Sequence, residues 1–369
     1  MDFAVRMRNA LIASTRGYFA TTSDVIVSEY DVAYYSGEDF FDRKHRLNVH
    51  YHASPAAPPA TSPTEEDQSP PTEEPSGDEL RPKPKKLPVV VFIHGGGWKR
   101  GDRNYIFDAY NNFGKAIAAE GFVVVVPSYR LSIAVDGGVQ HPKHWVKDNI
   151  GRYNGDEDMI FLSGHSAGGH LAALLALDTH YMADVGLEPE LVKGVVGICG
   201  VYDLVTGYTR FLLRNLYLAD AFGHDQAVLR EASPVHHARS NAPPFMLFNA
   251  AMDFGLEDDS LRLRAELAAR DGSVAHRSFP GTDHGSIIGL GPAWGRPYAP
   301  LVRETCAWLN KQIAAITDDR ETKNDLRTED EEQKQQRAEA DEGEGSPAEA
   351  HEGSRSEADV MVLRAYGWE

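Results

Sequence analysis

Runs in which every position is apolar occur at Val89 to Ile93 and at Phe122 to Val126, and a further apolar stretch covers Met159 to Leu162. Strands that are apolar on both faces belong to a parallel sheet covered on both sides. Between the first two, Tyr105 to Ala119 carries Phe107, Tyr110, Phe113, Ile117 and Ala118 at helical spacing, which makes a strand, helix, strand unit. Val192 to Ile198, Pro244 to Asn249 and Val274 to Phe279 continue the series of strands, while Leu256 to Arg270 and Pro300 to Ile316 read as helices. Ahead of them, Val25 to Tyr35 and Leu47 to Tyr51 predict an antiparallel pair at one sheet edge, the second with Leu47, Val49 and Tyr51 alternating against polar residues. The expected class is α/β, a mostly parallel central sheet with helices on both faces.

Two segments fit this pattern less well. The crossover from Leu131 to Asp158 has one helical stretch, Pro142 to Ile150, with Trp145, Val146 and Ile150 on one face, so the covering of the adjacent strand is expected to be thin. Residues 205 to 240 are expected to be largely helical, and Phe211, Leu212, Leu213, Leu216, Tyr217 and Leu218 crowd together there. An apolar excursion between two strands suits a lid or one wall of a pocket.

Composition trims the folded part. Residues 53 to 86 are dominated by Pro, Ser, Thr and Glu and are expected to be a disordered insert; residues 317 to 369 are expected to be an acidic disordered tail. Removing the insert and the acid-rich stretch to residue 359 leaves roughly 290 residues, a common size for one α/β enzyme domain. That domain comprises 25 to 52 and 87 to 316. The net charge of −18 is concentrated in the tail, where 317 to 359 hold 16 acidic and 6 basic residues. With the insert at about −3, the remainder carries about −5, an ordinary surface that argues against the basic face a nucleic-acid partner requires. The chain has 2 cysteines, Cys199 and Cys306, without metal-ligand spacing, in keeping with a reducing compartment. No apolar run approaches the about 18 residues of a membrane span, and a cytoplasmic location is expected. Residues 1 to 24, with Arg6, Arg8 and Arg16, read as a lid helix or leader, with mitochondrial targeting and membrane-surface adhesion as alternatives.

The chemistry centres on Gly164-His165-Ser166-Ala167-Gly168, between an apolar strand and the Ala- and Leu-rich stretch His170 to Leu177. A serine on so tight a strand-to-helix turn is a nucleophile elbow, and it meets a helix N-terminus whose partial positive charge favours an oxyanion. A serine needs a base, and the base an orienting acid. His284, on a Gly-rich loop after the last predicted strand, and Asp253, after the strand before it, supply both in the order Ser166, Asp253, His284 of an α/β-hydrolase fold. Asp203, after the preceding strand, is an alternative acid, and Glu257, Asp258 and Asp259 lie just beyond Asp253. His94-Gly95-Gly96-Gly97-Trp98 follows the strand Val89 to Ile93, and Gly95 and Gly96 are expected to join Ala167 as oxyanion donors. His94 reads as a brace for this loop, and His141, His165 and His170 as structural.

These two motifs resemble the carboxylesterase branch of the α/β-hydrolases that includes hormone-sensitive-lipase-like esterases, kynurenine formamidases and isoprenylcysteine methylesterases. The resemblance runs from about Leu87 to Ile316. Gly164 to Gly168 and Gly200-Val201-Tyr202-Asp203-Leu204 look closer to the formamidase and methylesterase members. It implies a serine hydrolase with an acyl-enzyme intermediate and neither cofactor nor metal. The expected substrate is a small to medium carboxylic ester with an apolar or aromatic acyl or alcohol group. The alternatives are an N-formyl aryl amide, a prenylcysteine methyl ester, or an inactive hydrolase fold serving as a receptor or scaffold. The sequence leaves oligomeric state and membrane contact open.

Overall fold

A computed structural model describes residues 26–35, 43–53, 85–105, 107–132, 143–209, 217–290 and 296–343. Residues 1 to 24, nearly all of the Pro-rich insert and Phe211 to Leu216 lie outside these. Eight strands form one sheet: β1 Ile26–Ala33, β2 Arg46–His52, β3 Leu87–Ile93, β4 Val123–Pro127, β5 Gly155–His165, β6 Val192–Ile198, β7 Phe245–Met252 and β8 Val274–Asp283. Their order is β1-β2-β4-β3-β5-β6-β7-β8. The pairs β1/β2 and β2/β4 are antiparallel; every later pair is parallel. The expected edge pair and parallel core are both present.

The apolar runs are buried as their composition requires. All of Val123 to Val126 are inaccessible, and Phe92, Phe161, Val195 and Leu247 join them in the centre of the sheet. Helix α1, Ala109–Ala118, packs Tyr110, Phe113 and Ile117 inward. It starts later than its apolar spacing suggests, because Phe107 and Asp108 have φ of 55° and 58° and cannot continue a right-handed helix. Phe107 is therefore exposed rather than on the buried face. The Asn111 side chain fixes this entry by donating to the Arg103 carbonyl at 3.0 Å and to the Asp108 carboxylate at 2.7 Å. Arg103, itself buried, donates to Asn48 of β2, Ser128 and Asp31, which anchors the segment that follows the glycine loop to the antiparallel edge.

The crossover from β4 to β5 is as spare as expected among the described residues: α2, Lys143–Asn149, and one 3-10 turn, Ile150–Tyr153. Val146, Ile150 and Tyr153 nonetheless join the main core beside Ile160 and Leu162. Helix α3, Ala167–Leu177, follows β5 directly, and α4, Leu256–Ala268, follows β7. Among the described residues of 205 to 240 the chain forms short helical pieces, Leu204–Thr209 at their edge, Ala219–Phe222, Gln226–Glu231 and the 3-10 turn Pro234–His237.

The closing helix α5 runs from Ala299 to Gly343, so residues 317 to 343 of the segment expected to be disordered are helical, while 344 to 369 lie outside the described residues. The reason is that lack of apolar residues argues against burial, not against helix. Glu, Lys, Arg and Gln are good helix formers, and Lys323–Asp319 pairs at i,i+4 spacing. Residues 315 to 369 form a unit of their own, of which the described side chains are almost all exposed. Among the described residues no helix is long and apolar enough to cross a membrane.

Candidate active site

The parallel strands all deliver their C-terminal ends to one edge of the sheet, and the candidate residues are gathered there. β5 ends at His165, and Ser166 turns the chain into α3 with φ 56° and ψ −121°, a conformation that L residues rarely hold. Two contacts enforce it: Ser166 N–H donates to the Ile198 carbonyl of β6 at 2.8 Å, and its own carbonyl accepts from His170 N–H at 3.1 Å. The flanking glycines have a steric cause. A Cβ on Gly164 would sit 2.3 Å from the Gly168 carbonyl oxygen, and one on Gly168 would sit 2.0 Å from that of Ile93. The end of β3 thus lies directly on the first turn of α3.

Ser166, His284 and Asp253 form one hydrogen-bonded chain. His284 Nε2 is 2.9 Å from Ser166 Oγ, and its Nδ1 is 2.6 Å from Asp253 Oδ1. Because a carboxylate only accepts, Nδ1 carries the proton and Nε2 presents a lone pair to the serine hydroxyl. The Asp253 side chain is 2% exposed, against 20% for His284. Burying a carboxylate is tolerable when its oxygens are bonded. Asn249 Nδ2 donates to Asp253 Oδ2 at 2.7 Å, and the buried Cys199 thiol lies near enough to feel the charge of that carboxylate. Burial first, and then the charge of Asp253, push that thiol well above the ordinary range.

The loop that carries His284 is itself braced. Asp283 Oδ1 accepts from the backbone of Gly285 and Ser286 at 2.9 Å each, and these bonds hold its carboxyl below the usual range. His284 N–H donates to the Met252 carbonyl at 3.0 Å. Asp203, the alternative acid, is committed elsewhere: its carboxylate bonds to Thr206 N–H and Oγ1 and caps the helix Leu204–Thr209. Asp259 is buried against the backbone of Tyr202 and Asp203, and Glu257 lies 3.7 Å from His276.

The glycine loop is fastened at both ends. His94 is inaccessible, stacks on Tyr129 with ring centroids 4.2 Å apart, and donates from Nδ1 to the Gly95 carbonyl at 2.7 Å. Trp98 Nε1–H donates to His170 Nδ1 at 3.1 Å, and His170 Nε2–H to the Ala232 carbonyl at 2.7 Å. One ring thereby links the loop, α3 and the 205 to 240 excursion. A Cβ on Gly95 would meet the His165 carbonyl oxygen and the Tyr110 hydroxyl at 2.9 Å each, so the loop lies tight against the end of β5 and α1. Tyr217 covers Gly97 so closely that a Cβ on it would lie 2.2 Å from the ring. Trp98, Ala167, Val201, Leu204, Leu218 and Leu229 form a buried apolar cluster beside the elbow.

His165, Cys199 and His284 each place one possible metal-ligand atom within 4.8 Å of the others. Both His284 nitrogens are already bonded, His165 Nε2 donates to the His284 carbonyl, and the thiol is held protonated, so a cation would have to break the chain just described. Asn249 and Cys199 escaped sequence reasoning. Asn249 lies four residues before Asp253 on the same strand, a spacing with no chemical signature of its own, and Cys199 follows β6 as an isolated thiol.

The buried imidazoles carry a consequence for stability. Burial pushes His50 and His170 down to about 4 and His94 to about 3, from an ordinary 6.5. Each is neutral when folded and takes up a proton near pH 6.5 once unfolded, so its contribution is intact above pH 6.5 and is lost as pH falls toward 4. The loss is about 1.4 kcal/mol per pH unit for each ring. Melting curves between pH 7.5 and 4.5 should show Tm falling steadily below 6.5; a flat profile would contradict neutral burial of these rings.

The BD-FAE family profile matches residues 80–263. Esterase LipC of Mycobacterium tuberculosis is 30% identical over 222 residues, which cover 54% of this chain and 53% of that protein. A probable isoprenylcysteine alpha-carbonyl methylesterase of Arabidopsis thaliana, ICMEL1, is 27% identical over 51% of this chain and 43% of its own length. The chain spans about half the length of the curated relatives it matches. Among solved structures, esterase B of Lactobacillus rhamnosis superimposes with a TM-score of 0.58 at 21% identity, covering 85% of this chain and 96% of that one. A bacterial heroin esterase does so with 0.53 at 19% identity, covering 83% and 90%. The strand order, the sharp serine turn between β5 and α3 and these structural likenesses agree: the chain has the α/β-hydrolase fold.

Proposed function

We propose that the chain is a serine carboxylic-ester hydrolase in which Ser166 is the nucleophile, His284 the base and then the acid, and Asp253 the group that orients and charges-balances the imidazole. The observation that carries this reading is the unbroken chain from Ser166 Oγ through both nitrogens of His284 to Asp253. As Oγ attacks the ester carbonyl carbon, its proton passes to His284 Nε2, and the carbonyl oxygen takes up the negative charge. Gly95, Gly96 and Ala167 N–H are the donors assigned to that oxyanion, and loss of one such donor costs roughly 2.7 to 4 kcal/mol of transition-state stabilisation. His284 then returns the proton to the departing alkoxide, which leaves as the alcohol and an acyl-Ser166. Water, deprotonated by His284, attacks the acyl carbon and releases the acid with Ser166 restored. The reaction as written uses side chains, backbone and water alone.

Small to medium esters with an apolar or aromatic group suit the cluster around Trp98, Leu204, Tyr208, Leu218 and Phe222 beside the elbow. A prenylcysteine methyl ester is the second reading, favoured by the Arabidopsis relatives that bear that name and by the same apolar wall. An N-formyl aryl amide is the third. The hydrolase unit is assigned to 25 to 52 and 87 to 316, with the acidic helix beyond it outside the reaction. Assays of wild type and Ser166→Ala on acyl esters of graded chain length, N-formylkynurenine and a prenylcysteine methyl ester test the reading. Hydrolysis of one class that is lost in Ser166→Ala is expected; hydrolysis of none by folded wild type would favour a scaffold.

A further inference from the structure

His165, the residue before the serine, has no part in the proton path above, yet it is 2% exposed and tilts across the His284 ring with centroids 4.7 Å apart. Its Nε2 lies 2.8 Å from the main-chain oxygen of His284. A carbonyl only accepts, so the proton of His165 sits on Nε2 and Nδ1 is bare. That Nδ1 has no hydrogen-bond partner, and it lies 3.0 Å from where a Cβ on Gly95 would stand. Gly95 therefore makes room for the ring. The elbow, the glycine loop and the His284 loop meet on this one side chain.

We infer that His165 is a positioning residue, which sets the reach of His284 Nε2 to Ser166 Oγ by holding the His284 backbone to the end of β5. The inference rests on the esterase reading. The bonds close a short ring: His165 is covalently next to Ser166, His165 Nε2–H holds the His284 carbonyl, and His284 Nε2 returns to Ser166 Oγ. On its other side the His284 N–H is held by Met252 of β7. With both backbone groups of His284 fixed by neighbouring strands, its ring has little freedom except along the line from Asp253 to Ser166. Removing the His165 bond leaves Asp253 to aim the ring alone, from a loop then tethered on one side. His165 also remains neutral in the buried space, so it adds no second cation beside the imidazolium that forms on His284 during the reaction.

The bond can be separated from the packing. Gln places its amide nitrogen near the position of His Nε2, and Phe fills the same space without a donor. On a short-chain 4-nitrophenyl ester, His165→Phe should lower kcat by ~10 to 100-fold with KM little changed, the scale of a misplaced catalytic group. His165→Gln should recover most of the loss. Should His165→Phe not melt cooperatively, His165→Asn, whose amide is too short to reach the His284 carbonyl, replaces it in the comparison. A donor-less variant that turns over like wild type, or a His165→Gln as impaired as the donor-less variant while melting like wild type, overturns the inference. A wild type that hydrolyses no ester sinks the esterase reading and this inference with it, whereas an active wild type with an equally active His165→Phe sinks this inference alone.

Discussion

Ser166→Ala should reduce ester turnover by roughly 10⁶-fold, to the level left by the oxyanion donors and binding alone, while the protein melts as wild type does. The side chain contributes one hydroxyl at 2.9 Å from His284, and among the described residues no other hydrogen bond to that nitrogen is present. Its backbone role survives the change, because the bonds of Ser166 N–H to Ile198 and of its carbonyl to His170 use main-chain atoms only. Alanine pays the same conformational cost as serine at φ 56°. Activity and stability should therefore part company. Steady-state rates on the preferred ester, read beside thermal melting, check both halves; residual activity within tenfold of wild type would reassign the nucleophile.

Asp253→Asn should cost roughly 10⁴-fold in kcat, the scale of a wrong imidazole tautomer. Asp253 receives the Nδ1 proton of His284 on Oδ1 while Oδ2 takes the amide of Asn249. An asparagine that keeps its oxygen toward Asn249 must turn its NH₂ toward His284. Nδ1 then becomes an acceptor, Nε2 carries the proton, and the ring donates to Ser166 Oγ instead of accepting from it. The volume is unchanged and a buried charge is removed, so folding should persist. Kinetics of the purified variant test this, and a rate near that of wild type would move the acid's role to another residue.

Much of this site was legible because chain geometry forces it. A serine held between two glycines after an apolar strand has few structures open to it, and the clashes a Cβ would make at Gly164 and Gly168 give the reason. Asp253 and His284 were legible from position, the first following the apolar strand β7 and the second the next strand, β8, at the sheet edge. What was hidden depends on through-space partners. Asn249 and Cys199 carry no motif, although Asn249 bonds to Asp253 and Cys199 lies within reach of its charge. The acidic segment after Ile316 was misread because composition speaks to burial, whereas local pairs such as Lys323 with Asp319 support a helix that buries nothing. Phe107 was misplaced because its left-handed backbone is invisible to apolar spacing.

The reading of Ser166 as a nucleophile activated by His284 is tested most directly by covalent capture. Wild type, Ser166→Ala and His284→Ala are incubated with a fluorophosphonate, and intact masses and peptide maps are recorded. One adduct per chain on the peptide bearing Ser166 is predicted for wild type, none for Ser166→Ala, and strongly slowed capture for His284→Ala. Folded wild type that takes up no phosphonate, or takes it up on a different serine, would contradict the account.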